Sequence, residues 1–225
     1  MRICVSIMPK SLDEALKLIE KSEKHGVDFI EVRLDRIGDF KGLGDITGCT
    51  GTPLIATIRT PTCGGKFLGK EEERVKILLN AASSGFKYVD VELESPSLKD
   101  VVKSLSTLGV KLIISFHDFE KTPRKRELQR ILESEIEKGA DVCKIVTTAR
   151  SLQDNLTLLQ FLHDESGRAK IVCFAMGALG KPSRLLSPIY GGYFTIASLE
   201  RGTETAAGQM TVEEMRAAYK ALGVT

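Results

Sequence analysis

Ile3-Cys4-Val5-Ser6-Ile7-Met8-Pro9-Lys10-Ser11 opens the chain with a short apolar run, a turn and a serine placed to start a helix. The turn decides the fold. An open, doubly wound α/β sheet that takes a nucleotide carries glycines in its first strand-to-helix turn, and this turn has none. Working outward, the same strand-then-helix unit recurs to the end of the chain. Alternation and β-branched residues predict strands at 3–7, 29–35, 54–59, 88–93, 111–117, 141–147, 169–175 and 194–198. Amphipathic runs predict helices at 11–25, 41–48, 70–84, 96–108, 124–138, 151–165, 180–190 and 211–222. Ser11, Ser95, Ser151 and Thr211 stand as N-caps, and Gly26, Gly85, Gly109, Gly139 and Gly223 as C-terminal stops. Eight such units make a (β/α)8 TIM barrel, an α/β fold with eight parallel strands and outer helices, in one domain over residues 1–225.

Composition narrows the function classes. The 225 residues carry a formal net charge of only +2, which argues against nucleic acid or a membrane surface as partner. The densest basic run, Arg124-Lys125-Arg126, sits where a helix begins and reads as a solvated face. Five cysteines, Cys4, Cys49, Cys63, Cys143 and Cys173, form no Cys-x-x-Cys pair, and three fall in strand-like apolar runs. This favours a reducing compartment over a disulfide framework. The run after Met1-Arg2 is too short for a signal peptide or a membrane span, so the expected location is the cytoplasm. The sequence leaves the oligomeric state open, a homodimer included.

Side chains alternate across a strand, so parity groups the charged residues. Glu31, Arg33 and Asp35 share one side of the second strand, Thr57 and Arg59 of the third, Asp90 and Glu92 of the fourth, Ser115 and His117 of the fifth. The sixth, Val142-Cys143-Lys144-Ile145-Val146, holds one charge in an apolar run. A charge in a parallel strand faces a greasy helix layer or the barrel lumen, and only the C-terminal mouth of the lumen offers partners and water. Taken singly, a Glu-x-Arg pair is as often a structural ion pair, and a histidine at a strand end is often a core residue. Lys144 is harder to explain structurally, because a lone ammonium there costs several kcal/mol to desolvate. Burial is expected to depress its pKa and free the amine to attack a carbonyl. Arg33, Arg59 and Arg184 can hold a carboxylate, and His117, one strand from Lys144, can remove a proton beside an iminium. The pattern points to a small anionic carbonyl compound.

Glu31-Val32-Arg33-Leu34-Asp35, Ala56-Thr57-Ile58-Arg59, Ile114-Ser115-Phe116-His117-Asp118, Val142-Cys143-Lys144-Ile145, Met176-Gly177, Ser183-Arg184 and Thr205-Ala206-Ala207-Gly208-Gln209 occur in an order and spacing that resembles type I 3-dehydroquinate dehydratases over essentially the whole chain. The resemblance implies dehydration of 3-dehydroquinate to 3-dehydroshikimate in the shikimate route to aromatic amino acids, without a metal or organic cofactor. It implies an imine on Lys144, His117 as proton shuttle, and Glu31, Arg33 and Arg59 on ring hydroxyls and carboxylate. Arg184 clamps the carboxylate, Met176 packs near the imine, Thr205 and Gln209 belong to a lid after the eighth strand, and Ser6 contacts substrate.

Two positions depart from the family pattern. Cys63 stands before Gly64-Gly65 where a glutamate usually assists the histidine: either the alignment with the family shifts locally, or Asp90 orients His117 instead, which is the favoured expectation. Thr205 replaces a frequent serine and keeps the hydroxyl. Two other readings stay open at this level. A class I aldolase would share the strand-six lysine but would place phosphate-binding glycines after strands seven and eight, whereas Gly191-Gly192 precedes the eighth. A non-catalytic barrel that binds a small acid is favoured only by Cys63.

Overall fold

β-Branched runs pair as parallel strands and the amphipathic runs between them coil, in alternation along the computed structural model, which describes residues 1–224. The order is β1 (Ile3–Ile7), α1 (Leu12–Lys24), β2 (Phe29–Arg33), α2 (Leu43–Gly48), β3 (Leu54–Thr57), α3 (Glu71–Ser83), β4 (Tyr88–Glu92), α4 (Leu98–Leu108), β5 (Lys111–His117), α5 (Lys125–Glu137), β6 (Val142–Thr148), α6 (Leu152–Glu165), β7 (Ile171–Met176), α7 (Lys181–Leu186), β8 (Thr195–Ala197) and α8 (Val212–Ala221). Hydrogen-bonded neighbours run β7-β6-β5-β4-β3-β2-β1-β8. The seam between β7 and β8 is bridged by the Tyr193 N–H donating to the Ile171 carbonyl at 2.7 Å. The sheet thus curls into the expected (β/α)8 barrel.

Two apolar layers follow from strand parity. Outward residues such as Val32, Ala56, Val91 and Ile114 pack under the first helices, and Cys143, Ile145, Cys173 and Ala175 pack against Leu128, Leu132, Phe161 and Leu162 of α5 and α6. Inward residues Cys4, Phe29, Ile55, Ile113, Val142, Val172 and Phe194 form a separate plug inside the barrel. Because the plug fills the N-terminal half of the lumen, polar inward side chains are confined to the C-terminal mouth. Among the described residues no helix is long and apolar enough to cross a membrane.

Caps hold most helix starts where the sequence puts them. The Ser11 hydroxyl accepts the Glu14 N–H at 3.2 Å, and Thr211 and Glu214 exchange bonds of 3.1 and 2.9 Å. Each such cap contributes about 1 kcal/mol. Of the boundaries that differ, four have a visible cause or consequence. α4 starts after Ser97 rather than Ser95, whose hydroxyl donates to Glu71 at 2.7 Å. β2 ends at Arg33, and Leu34–Arg36 turns into a 3-10 helix. β3 ends at Thr57, because the Ile58 and Arg59 carbonyls accept from Arg74 and the Phe67 N–H instead of a neighbouring strand. The helix expected at 180–190 is α7 followed by a 3-10 turn, Ser187–Tyr190, where Pro188 has no N–H to continue the α-helical ladder.

Candidate active site

Parallel register sets the polar side chains of the mouth side by side. Thr57 pairs with Asp90, Glu92 with Ser115, and Ser115 with Lys144. From the floor of the mouth the Lys144 ammonium donates to Asp90 Oδ2 at 2.9 Å and Glu31 Oε1 at 3.1 Å. Thr57 Oγ1 also donates to Glu31 Oε1, at 3.0 Å. Asp90 Oδ1 accepts from Arg59 Nη2 at 2.6 Å and Ser115 Oγ at 2.7 Å. The chain of charges continues outward. Arg59 Nη1 lies 2.8 Å from Glu92 Oε1, and Glu92 Oε2 accepts from Arg74 of α3 at 2.7 Å. Arg33 makes a fork to Asp35, with bonds of 2.7 and 3.0 Å.

This network fixes protonation states. Burial pushes the Lys144 pKa down, but Asp90 and Glu31 outweigh it and hold the amine above its ordinary value. The expected depression is therefore reversed, and the resting side chain is an ammonium. Burial likewise pushes both carboxyls up, but Lys144 and Arg33 bring Glu31, and Arg59 and Lys144 bring Asp90, net below the ordinary range. His117 moves the other way. Its burial, together with Arg59 and Lys144, lowers its pKa well below 6.5, so it is a neutral imidazole at pH 7.

Arg184 differs from every other cation of the mouth. It is 1% exposed, its Nη1 donates to the Ile196 carbonyl at 3.1 Å, and its guanidinium lies over the Phe174 ring at 4.2 Å. Its Nε and Nη2 have no hydrogen-bond partner among the described residues. With no carboxylate beside it, burial alone lowers its pKa to about 9, so it remains charged at pH 7. Arg184, Lys144, His117, Arg33, Arg59 and Glu31 line one pocket, joined by Met176, Cys63, Thr205 and Gln209. A lysine that becomes a nucleophile on losing its proton, a neutral base and a buried, unpaired cation in one pocket can take an anion that carries a carbonyl.

The family model described as type I 3-dehydroquinase matches residues 3–225. The chain belongs to this family. Its members are dehydratases, hydro-lyases of the shikimate pathway, and the chain is an enzyme of that class. A 3-dehydroquinate dehydratase of Dehalococcoides mccartyi is 38% identical over 220 residues, covering 98% of this chain and 95% of that protein. The crystal structure of 3-dehydroquinate dehydratase from Geobacillus kaustophilus aligns with a TM-score of 0.91 and 26% identity, over 99% of this chain and 91% of that one. The type I enzyme of Clostridium difficile, solved with covalently modified comenic acid, aligns at 0.88 and 27% identity over 98% and 91%.

Within this type I 3-dehydroquinase the residues expected at the site line one pocket except Ser6 and Asp90, and Arg59 lines it with its charge already paired. Ser6 does not line the central pocket; its hydroxyl accepts from Thr205 Oγ1 at 2.9 Å and lines an adjoining cavity. Asp90 does not support His117. Both its oxygens serve Lys144, Arg59 and Ser115, and His117 Nδ1 has no hydrogen-bond partner among the described residues. Arg59 is committed to Asp90 and Glu92, which leaves Arg184 as the cation free for a carboxylate. Two contributors were missed. Phe119 stacks on His117, with ring centroids 5.9 Å apart and planes 14° apart. Arg74 is buried on α3, and its signal was available: it shares the apolar helix face of Ile77, Leu78 and Ala81.

Proposed function

We propose that this chain dehydrates 3-dehydroquinate through an imine on Lys144. The carrying observation is Arg184, a fully buried cation with two unpaired nitrogens, in the same pocket as a lysine and a neutral imidazole. Burying such a charge without a partner costs several kcal/mol. A substrate carboxylate offsets that cost and leaves the ring ketone to Lys144.

The ammonium must first lose its proton. Asp90 and Glu31 favour the charged form, so only a small fraction of the amine is free at pH 7, and attack on the ketone draws on that fraction. Loss of water from the adduct gives a cationic imine. Neutral His117 then takes a proton from C2, and the C–H electron pair flows into the iminium to give an enamine. The enamine returns its electrons through C2 and C1 and expels the C1 hydroxyl, protonated by the same imidazole, as water. Because one group serves both steps, the elimination is syn. Hydrolysis of the conjugated imine releases 3-dehydroshikimate and regenerates Lys144. Glu31, Arg33 and Arg59 act on the ring hydroxyls, Met176 packs beside the imine, and Thr205 and Gln209 close over the substrate from the loop after β8.

Borohydride added during turnover of 3-dehydroquinate tests this directly. The expected result is a reduced adduct on the peptide that contains Lys144, with loss of activity. An adduct on another lysine, or none while the enone absorbance still rises, would overturn the assignment.

A further inference from the structure

The segment at 199–210, between β8 and α8, folds back over the pocket. Its base is tied by the Ser198 N–H to the Met210 carbonyl at 2.9 Å and the Val212 N–H to the Ser198 carbonyl at 3.2 Å. Its inner side carries Thr205 and Gln209. Gln209 Nε2 donates to Thr205 Oγ1 at 3.0 Å, and Gln209 Oε1 accepts the Thr205 N–H at 2.7 Å. These two bonds stay inside the loop, and Thr205 to Ser6 reaches only β1.

Across the mouth, on the β7 side, the loop is held by backbone alone. Gly177, directly after Met176, donates its N–H to the Ala207 carbonyl at 3.0 Å. Gly208 approaches so closely that a Cβ added to it would stand 2.2 Å from the Gly177 carbonyl oxygen and 2.8 Å from its carbon. No real side chain tolerates that distance, and backbone does not give way as a flexible side chain does. Both residues also have positive φ, +84° at Gly177 and +79° at Gly208.

We propose that Gly177 and Gly208 are positioning residues, a backbone clasp that holds the loop shut and sets Thr205 and Gln209 over the substrate. The proposal rests on the pocket being the substrate site. A clasp of main chain suits this place, because a side chain on Gly208 would enter the Gly177 backbone and hold the two segments apart. It also couples the lid to the end of β7, so closure is referenced to a strand rather than to another loop.

Gly208→Ala tests the clasp, and Gly202→Ala is its control. Gly202 lies in the same loop with φ +85°, but an added Cβ meets nothing within 4 Å. It therefore shares the backbone cost of a left-handed alanine and lacks the clash. Expected for Gly208→Ala is a KM for 3-dehydroquinate raised at least ~10-fold, a kcat changed much less, and the borohydride adduct still formed at saturating substrate. In the substrate-free protein, trypsin should cut after exposed Arg201 several-fold faster than in the parent, followed by mass spectrometry. Gly202→Ala should keep the parent KM. Equal rises in KM for both variants would assign the effect to backbone strain and overturn the clasp. An unchanged KM and an unchanged cut at Arg201 in Gly208→Ala would do the same. If the parent itself gave no adduct on Lys144, the proposed function would fail, while the trypsin comparison would still decide the clasp.

Discussion

Lys144 and His117 sit in the same field and are driven to opposite charge states. Lys144 touches two carboxylates and stays protonated; His117 is kept neutral first by burial and then by the cations Arg59, Lys144 and Arg33, which outweigh Asp90. Lys144 was readable as the single charge of an apolar strand, but the direction of its pKa was not. Its partners Asp90 and Glu31 lie 54 and 113 residues away in the chain, and only barrel closure brings them to the amine. Arg184 carries a weaker signal, since it lies in a short helix: residue chemistry offers it only as a third arginine beside Arg33 and Arg59, and its role as the clamp comes from the family resemblance. Cys63 is the residue-scale test. It lines the pocket with His117 and supplies no carboxylate. In Cys63→Glu a nearby negative charge favours imidazolium and raises the His117 pKa. The limb of the pH–rate profile on which the histidine loses its proton should then move to higher pH, where the parent rate shows no histidine limb until pH falls well below 6.5. An identical profile for the two proteins would show that position 63 does not act on the histidine.

At the scale of elements, strand and helix cores were legible because period-2 and period-3.6 patterns are strong over whole segments, while ends were not. Asp35 was grouped with Arg33 by strand parity, yet it lies in a 3-10 turn and reaches Arg33 by folding back. Arg59 likewise enters the mouth from beyond the last residue of β3. Such ends answer to the loops that pack on them, which no local pattern encodes. α3 is tied to the barrel in this way. Arg74, 2% exposed, joins Glu71 of its own helix to Glu92 of β4 and to the Ile58 carbonyl after β3. Removing one member of a buried ion pair strands its partner, at a cost of about 3–5 kcal/mol. Arg74→Met should lower the free energy of unfolding by that order in urea titration. Arg74→Lys should recover only part of the loss, because one ammonium cannot reach Glu71, Glu92 and the carbonyl together. A loss below ~1 kcal/mol for Arg74→Met would show that the tie is dispensable and that Glu92 is satisfied by Arg59 alone.

For the whole molecule, buried carboxyls make stability depend on pH in two opposite directions, and the two have different origins. The carboxyls of Glu31 and Asp90 are held below their ordinary values in the fold. Their contribution is present above the unfolded carboxyl range near pH ~4 and is lost as pH falls through the folded values. Glu135 has the opposite sign. It projects from α5 into the layer between helices and barrel, fully buried, near the Cys143 and Cys173 thiols, and neither of its oxygens has a hydrogen-bond partner among the described residues. Burial raises its pKa well above 4.5, so the folded protein keeps a proton that the unfolded chain releases. A raised carboxyl contributes fully below the unfolded pKa, and its contribution declines as pH rises from there toward the folded pKa. The limiting slope is about 1.4 kcal/mol per pH unit for one proton. Glu135→Gln keeps the shape and polarity of the neutral acid and removes the linkage. Urea unfolding of both proteins between pH 5 and 8 should therefore give a stability difference that shifts steadily in favour of the variant as pH rises, with turnover little changed because Glu135 faces away from the lumen. A difference that stays constant across this range would mean that Glu135 binds the same number of protons folded and unfolded. The layer under α5 would then have to admit enough water, or move far enough, to accommodate a carboxylate.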